Sequence, residues 1–427
     1  MKRILMAIGA AGYLAAVATA QTLRYEVIDL GTLGGTSGSA YGINSYGRVA
    51  GAANLANGNQ HAFLSEVVGN ADLGTLGGPN SNEGGLNTSY QLAIFAETAK
   101  KDPNGEDFCG FGTHLICLPA VWNGRMTPLP TLGGNNGQAL AINEQGQLAG
   151  IAETGTQDST CVGSGQVMRF EAALWSPTGQ VQELPPLAGD TVGFALGINN
   201  QGQVVGSSGT CANTNVAGLE AGPRAVLWNN GAPINLGSLG GTISATAAAV
   251  NDLGVVTGAS DLASEMPGFP GVQIHGFLWT SAGGMVDIGT VGSDFSSIPT
   301  AINNRGQVTG ASCDDQGNCR AFLWQNNVMT DLNTLIPADS GLYLAFPFVM
   351  NDDGEIAGMA IVTSTGDSHA FLAIPEKAVV TSAQVEPAME SATRPMPIPE
   401  SAGGSSVIWH CVVGRPNRVH STVAFLI

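Results

Sequence analysis

The chain has 427 residues, with 15 Lys and Arg against 33 Asp and Glu for a net charge of −18, and it contains 60 glycines. Its hydrophobic share of 44% is that of a globular protein, which excludes disorder as the whole answer, while the 11% of charged residues is less than half the usual share. The lysines are Lys2, Lys100, Lys101 and Lys377, so no basic stripe exists to neutralise phosphates, and nucleic acid and anionic membranes are excluded as charge-matched partners.

Met1, Lys2 and Arg3 form a short positive start, residues 4–17 are an apolar run, and Ala18-Thr19-Ala20 is a small-residue cleavage site. This is the pattern of a secretory signal peptide over 1–20, leaving Gln21 as the first mature residue. The run is shorter than the roughly 20 residues a membrane helix needs. Every later apolar stretch is broken by Gly, Asn or Asp, so no membrane-spanning segment is expected after cleavage.

From residue 21 to 375 the sequence repeats. A turn motif pairs Asn44 with Gly47, Asn143 with Gly146, Asn199 with Gly202, Asn251 with Gly254, Asn303 with Gly306 and Asn351 with Gly354. A degenerate copy spans 86–92, with Asn87 in place and Tyr90 where the glycine belongs. Asn-x-x-Gly between two short apolar segments reads as a hairpin, since Asn caps its own backbone and Gly takes a left-handed conformation without steric cost. A short strand follows, ending in Trp122, Trp175, Trp228, Trp279 or Trp324, or reading His61-Ala62-Phe63-Leu64 and His369-Ala370-Phe371-Leu372 without the Trp. A fourth segment then runs into a Gly-rich stretch such as Asp72-Leu73-Gly74-Thr75-Leu76-Gly77-Gly78.

Four strands per unit, repeated seven times, predict an all-β fold: a seven-bladed β-propeller of four-stranded antiparallel blades. The chain opens on a fourth strand at 25–30 and its last repeat stops after the third at 369–374. The N-terminal strand is therefore expected to complete the last blade and close the ring. The five repeat tryptophans are expected to fill the space between blades, because one large side chain per unit suits a packed wedge better than a binding platform.

The motifs HAFL, INNxGQVxG and DLGTLGG, recurring in that order through about 24–375, resemble the bacterial extracellular repeat family named for its His-Ala-Phe motif. His61 and His369 match that motif fully, His275 has Gly276 beside it, and Arg224, Arg320 and Glu171 replace the histidine elsewhere. The resemblance implies export and a bacterial secreted, periplasmic or surface location, and it brings no chemistry. The variable histidine position suits an anchor for the start of the strand, made by hydrogen bonds.

Export makes disulfides the default for Cys109, Cys117, Cys161, Cys211, Cys313 and Cys319, all expected in the loops between second and third strands. Local 109–117 and 313–319 bridges and an interblade 161–211 bridge are predicted, with Cys411 left over. No catalytic residue and no cofactor is expected. Two acidic turns, 314–318 and 351–355, offer clustered oxygens of the kind calcium uses, but neither completes an EF-hand loop. Gly-Thr-Leu-Gly-Gly lacks the Lys-Ser/Thr of a phosphate loop. Residues 376–427 change character, with Pro387, Pro395, Pro397 and Pro399 in an Ala, Ser and Glu-rich stretch that reads as linker and tail.

The expected function is a monomeric, non-enzymatic exported scaffold that binds an extracellular protein or polysaccharide through variable loops, where a rigid frame tolerates change. The alternative is a secreted carbohydrate-active enzyme or lectin that uses the central channel.

Overall fold

A computed structural model describes residues 23–66, 69–161, 165–211, 224–263 and 273–376, together with the short strands Ile408–His410 and Ala424–Leu426. The expected leader at 1–20 and Cys411 lie outside the described residues. Among the described residues no helix is long and apolar enough to cross a membrane.

The fold is all-β, built of successive four-stranded antiparallel sheets of the kind found in β-propellers. One sheet comprises Gly133–Ile142, Leu148–Gln157, Met168–Trp175 and Val181–Leu184, paired in chain order. The sheets that start at Gly77–Leu86, Val192–Ile198, Gly240–Val250 and Ser296–Ile302 follow the same order. The strands Leu342–Met350, Ile356–Val362 and Ser368–Pro375 take their fourth member from the other end of the chain. Tyr25–Gly31 lies antiparallel to the last of them, with Tyr25 opposite Pro375 and Ile28 opposite Leu372, as the displaced terminal strands predict. That group shares one parallel ladder bridge, Ser37 to Ser368, with the sheet beginning at Gly34–Ile43 and packs against it.

Local sequence explains the crossings between sheets. In Thr131-Leu132-Gly133-Gly134 the first glycine has φ of 114°, and a Cβ on the second would lie 2.4 Å from the Cβ of Glu153. Thr131 ties the crossing by donating its hydroxyl to the Gly134 carbonyl at 2.6 Å. The Gly-rich motif is thus a backbone requirement of chain passage.

Packing between sheets departs from the expectation for the tryptophans. Trp175 and Trp228 are fully buried and donate their indole N–H groups to the carbonyls of Pro130 and Pro185, at 2.8 and 2.7 Å. Trp122, Trp279 and Trp324 are only half-buried, which corrects the expectation that all five fill the interior alike. Their preceding repeats carry Gly74, Gly237 and Gly289 where the other two have proline, each glycine at positive φ with its N–H bound to Asp72, Asn235 or Asp287. Proline has no N–H and holds φ near −65°. Its carbonyl keeps the direction that meets the next indole, and the glycine turn gives that direction up.

All three predicted disulfides are present, with Cα separations of 6.1 Å for Cys109–Cys117, 4.7 Å for Cys161–Cys211 and 4.0 Å for Cys313–Cys319. The 161–211 bond ties two successive sheets. Not all the cysteines lie in loops, however: Cys117 is inside the strand Leu115–Trp122, and Cys313 and Cys319 face each other as the last paired residues of their strands. The turn between these two is too short to form a separate loop, because Asp314 caps it by accepting from the N–H groups of Gln316 and Asn318.

Candidate functional site

The innermost strands converge on an axial channel, and the repeat builds it in layers. At one mouth sits the turn asparagine. In Asn199 the side-chain oxygen accepts from the N–H groups of Gln201 and Gln203, as a hairpin cap should. Its amide nitrogen meanwhile donates to the Asn251 carbonyl of the next repeat at 2.9 Å. The same donation runs from Asn44 to Asn87, Asn87 to Asn143, Asn143 to Asn199, Asn251 to Asn303, Asn303 to Asn351, and from Asn351 back to Asn44. Aspartate could cap the turn but has no N–H to donate. The presence of Asn at every copy, and never Asp, was the sequence signal for this second role.

One residue further on, Glu144, Asn200, Asp252, Asn304 and Asp352 link neighbouring turns. Each of Glu144, Asn200, Asp252 and Asn304 sends its backbone N–H to the next repeat's side-chain oxygen, at 2.8 to 3.0 Å. The mouth they surround holds about 230 Å³. Beneath it lies an apolar collar that includes Ile43, Leu86, Ile142, Ile198, Val250 and Met350, the residues just before the asparagines.

Next comes a layer in which the repeat gives up its regularity. Three residues before each asparagine the innermost strand bulges, leaving Tyr41, Gly84, Leu140, Leu196, Ala248, Thr300 and Phe348 out of register. A bulge re-aims the side chain it carries. Here all seven positions line one cavity of about 280 Å³. In six of the seven repeats a glycine stands opposite the bulge and lets the strands approach closely: at Gly206 a Cβ would stand 1.8 Å from the Phe194 carbonyl oxygen. Tyr41 and Phe348 are neighbours, with ring centroids 4.9 Å apart.

The second repeat is exceptional in this layer. Where the other copies place Ala or Pro beside the bulge, it places Glu83; its bulge residue is Gly84, and Ile94 faces Glu83 where the others have glycine. Its turn carries Tyr90 at φ 60° in place of glycine. Glu83 is 2% exposed, lines the cavity, and has no hydrogen-bond partner on either carboxyl oxygen. Burial pushes its pKa up to about 8, which the adjacent Gly85 N–H offsets in part without a hydrogen bond of good geometry. Burial also raises the Tyr41 hydroxyl above its ordinary range. The cavity therefore offers aromatic faces, aliphatic walls and one neutral carboxyl able to donate a hydrogen bond or to ionise against a cation. Sequence reading passed over Glu83 and the bulge residues. Their signal was variation at a fixed offset from an invariant asparagine.

Other candidate groups are occupied structurally. His61, His275 and His369 pair through Nδ1 with Asp72, Asp287 and Asp29, at 2.7 to 2.9 Å. Where Arg320 replaces the histidine it meets Asp294 and Asp331, and Arg224 meets Asp190. Glu106 accepts from the N–H groups of Val167 and Met168, and Asp102 from Asn136. Glu153 accepts from Asn135 and Asn136, and burial with Glu106 nearby pushes it up to about 7. In the turns weighed for calcium, Asp314 caps its own loop, while Asp352 bonds Asn304 and Glu355 bonds Asn351. Among the described residues no group of three His, Cys, Asp or Glu is arranged to hold a metal ion.

No protein-family model matches the chain, and no curated protein matches it. Solved structures do. Virginiamycin B lyase from Staphylococcus aureus aligns over 82% of this chain and 100% of its own, at 10% identity and a TM-score of 0.47. The β-propeller domain of the Trilobed protease from Pyrococcus furiosus covers 82% and 95%, at 10% identity and 0.46. The Aleuria aurantia lectin covers 84% and 97%, at 10% identity and 0.30. At such identities the likeness is one of architecture. By name these neighbours are enzymes or parts of enzymes and a lectin. The layout of the chain itself corrects the expectation of a non-enzymatic scaffold working through its loops, since the residues that break the repeat gather on the axis.

Proposed function

We propose that the chain is an exported, closed seven-bladed propeller of the His-Ala-Phe repeat type that binds a sugar-sized ligand in its axial cavity, in the manner of a lectin. Closure is supported by the pairing of Tyr25–Gly31 with Ser368–Pro375 and by the amide donation that returns from Asn351 to Asn44. Export is supported by the leader-like pattern at 1–20 and by three disulfides.

One observation carries the ligand reading: seven bulges turn six side chains, not all alike, and one glycine toward a single cavity. A fold that needed the axis only for packing would repeat one residue there, as it does at the asparagine. Aromatic faces beside a few polar groups suit a sugar ring. Glycoside hydrolysis needs paired carboxyl groups, and Glu83 is the one carboxyl among the lining residues, so binding is favoured over hydrolysis.

The test is a monosaccharide and disaccharide binding and hydrolysis screen on the full chain and on Ala248→Phe, which fills the cavity from a small lining position. Binding that the variant loses while its melting temperature stays within a few degrees is the expected result. Binding unchanged by the substitution would move the site off the axis.

A further inference from the structure

The cavity is chemically one-sided. Its single ionisable pair is Glu83 and Tyr41, on neighbouring innermost strands, and the other lining strands contribute Leu, Ile, Val, Ala, Gly, Thr, Phe and Met side chains with no basic group among them. Both Glu83 oxygens are buried against this space without a hydrogen bond of good geometry, the Gly85 N–H being the one donor beside them. A buried polar group left unmatched costs free energy, and a ligand that matches it recovers that cost.

We infer that the axial cavity takes a sugar bearing a primary ammonium group, with the ammonium on the Glu83 carboxylate and a ring face against Tyr41 and Phe348. This rests on the axial-cavity reading above and names its ligand class. A neutral sugar could accept the one O–H of the protonated carboxyl, whereas an ammonium supplies three donors to two oxygens and is drawn to aromatic faces as well. A divalent metal ion would need six or more oxygen ligands, and the lining offers one carboxyl. The volume of about 280 Å³ suits one sugar ring rather than a chain.

The approach to the cavity favours the same charge. Glu144, Asp252 and Asp352 stand at the mouth, and the whole chain carries −18, so small cations are concentrated where they would enter. Binding is an ionisation with no covalent change: below the pKa of Glu83 its proton leaves to the buffer as the carboxylate pairs with the ammonium.

Calorimetric titration of the full chain with glucosamine and with glucose at pH 6.5, each in two buffers of different ionisation heat, decides the matter. Glucosamine is expected to bind about tenfold or more tightly than glucose, with close to one proton released per ligand. Glu83→Gln is expected to abolish the proton release and bring the glucosamine affinity down toward that of glucose. Equal affinities for the two sugars would overturn the charge assignment and leave the axial sugar site standing. Failure of both sugars to bind would overturn the two together. The ratio of glucosamine to glucose affinity on the unmodified protein carries the decision even if Glu83→Gln does not fold.

Discussion

Two layers of the same channel obey opposite rules. At the mouth, asparagine is used in every repeat, and each amide serves its own turn and the neighbouring one. Three residues earlier on each strand, the bulge position holds tyrosine, glycine, leucine, alanine, threonine and phenylalanine. Both layers belong to the same strands and both face the axis. The mouth is uniform because every copy must solve the same problem of joining its neighbour, and the bulge layer is free to vary because its side chains meet space rather than a repeated partner. Identity along a repeat marks assembly, and variation at a fixed geometric position marks a site.

The strongest way to break this contrast is to attack the support of the bulge. Gly206→Val is expected to destabilise by about 4 kcal/mol or more, because its Cβ would overlap the Phe194 carbonyl and the strand would have to leave its register. Chemical denaturation measures it, and a loss under about 1 kcal/mol would mean the bulge is not held by that glycine. Between sheets, Trp228→Ala should cost about 3 to 5 kcal/mol and Trp324→Ala about half as much, since only the first is fully enclosed and bound to a proline carbonyl.

Asn199→Asp sharpens the uniform layer. It keeps the cap and removes the donor, placing an anion against the Asn251 carbonyl, and a loss of about 2 to 3 kcal/mol is expected at neutral pH. Part of it should return on acidification, when the protonated acid can donate again. An effect that does not change with pH would remove the ring of amides from the account.

For the variable layer the prediction concerns pH. Glu83 has a folded pKa raised from 4.5 to about 8, so the folded chain holds this proton where the unfolded chain has lost it. Its contribution is neutral below about pH 4, turns progressively destabilising as pH rises through that interval, and reaches its full penalty above it. Glu83→Gln is thus expected to stabilise by about 2 kcal/mol at pH 6 and by almost nothing at pH 4, read from urea midpoints. The smallest effect belongs to Asp72→Ala, which removes the His61 partner at a half-exposed site and should cost less than about 1 kcal/mol.

Much of the architecture was legible because repetition averages out local ambiguity. No single segment such as 203–206 identifies a strand, but the same punctuation of asparagine, glycine and tryptophan through the chain leaves few alternatives to stacked antiparallel sheets. Cysteine positions relative to the asparagines were enough to pair 161 with 211. The unequal burial of the tryptophans was harder to see. It depends on whether proline or glycine stands at one position of the preceding repeat, a coupling between residues some 45 apart that only contact reveals.

The sequence by itself determined the repeat, its hairpins, the pairing of the two chain ends and the three disulfides, all of which follow from residue type at a fixed spacing. Only the tertiary structure decided where the exceptions point. Glu83 and Tyr41 lie more than forty positions apart and share no motif, and each looks like a lapse in its own repeat. They meet because a bulge turns Tyr41 by one pleat toward the axis, and the sheets around that axis bring it beside a carboxyl that water no longer reaches.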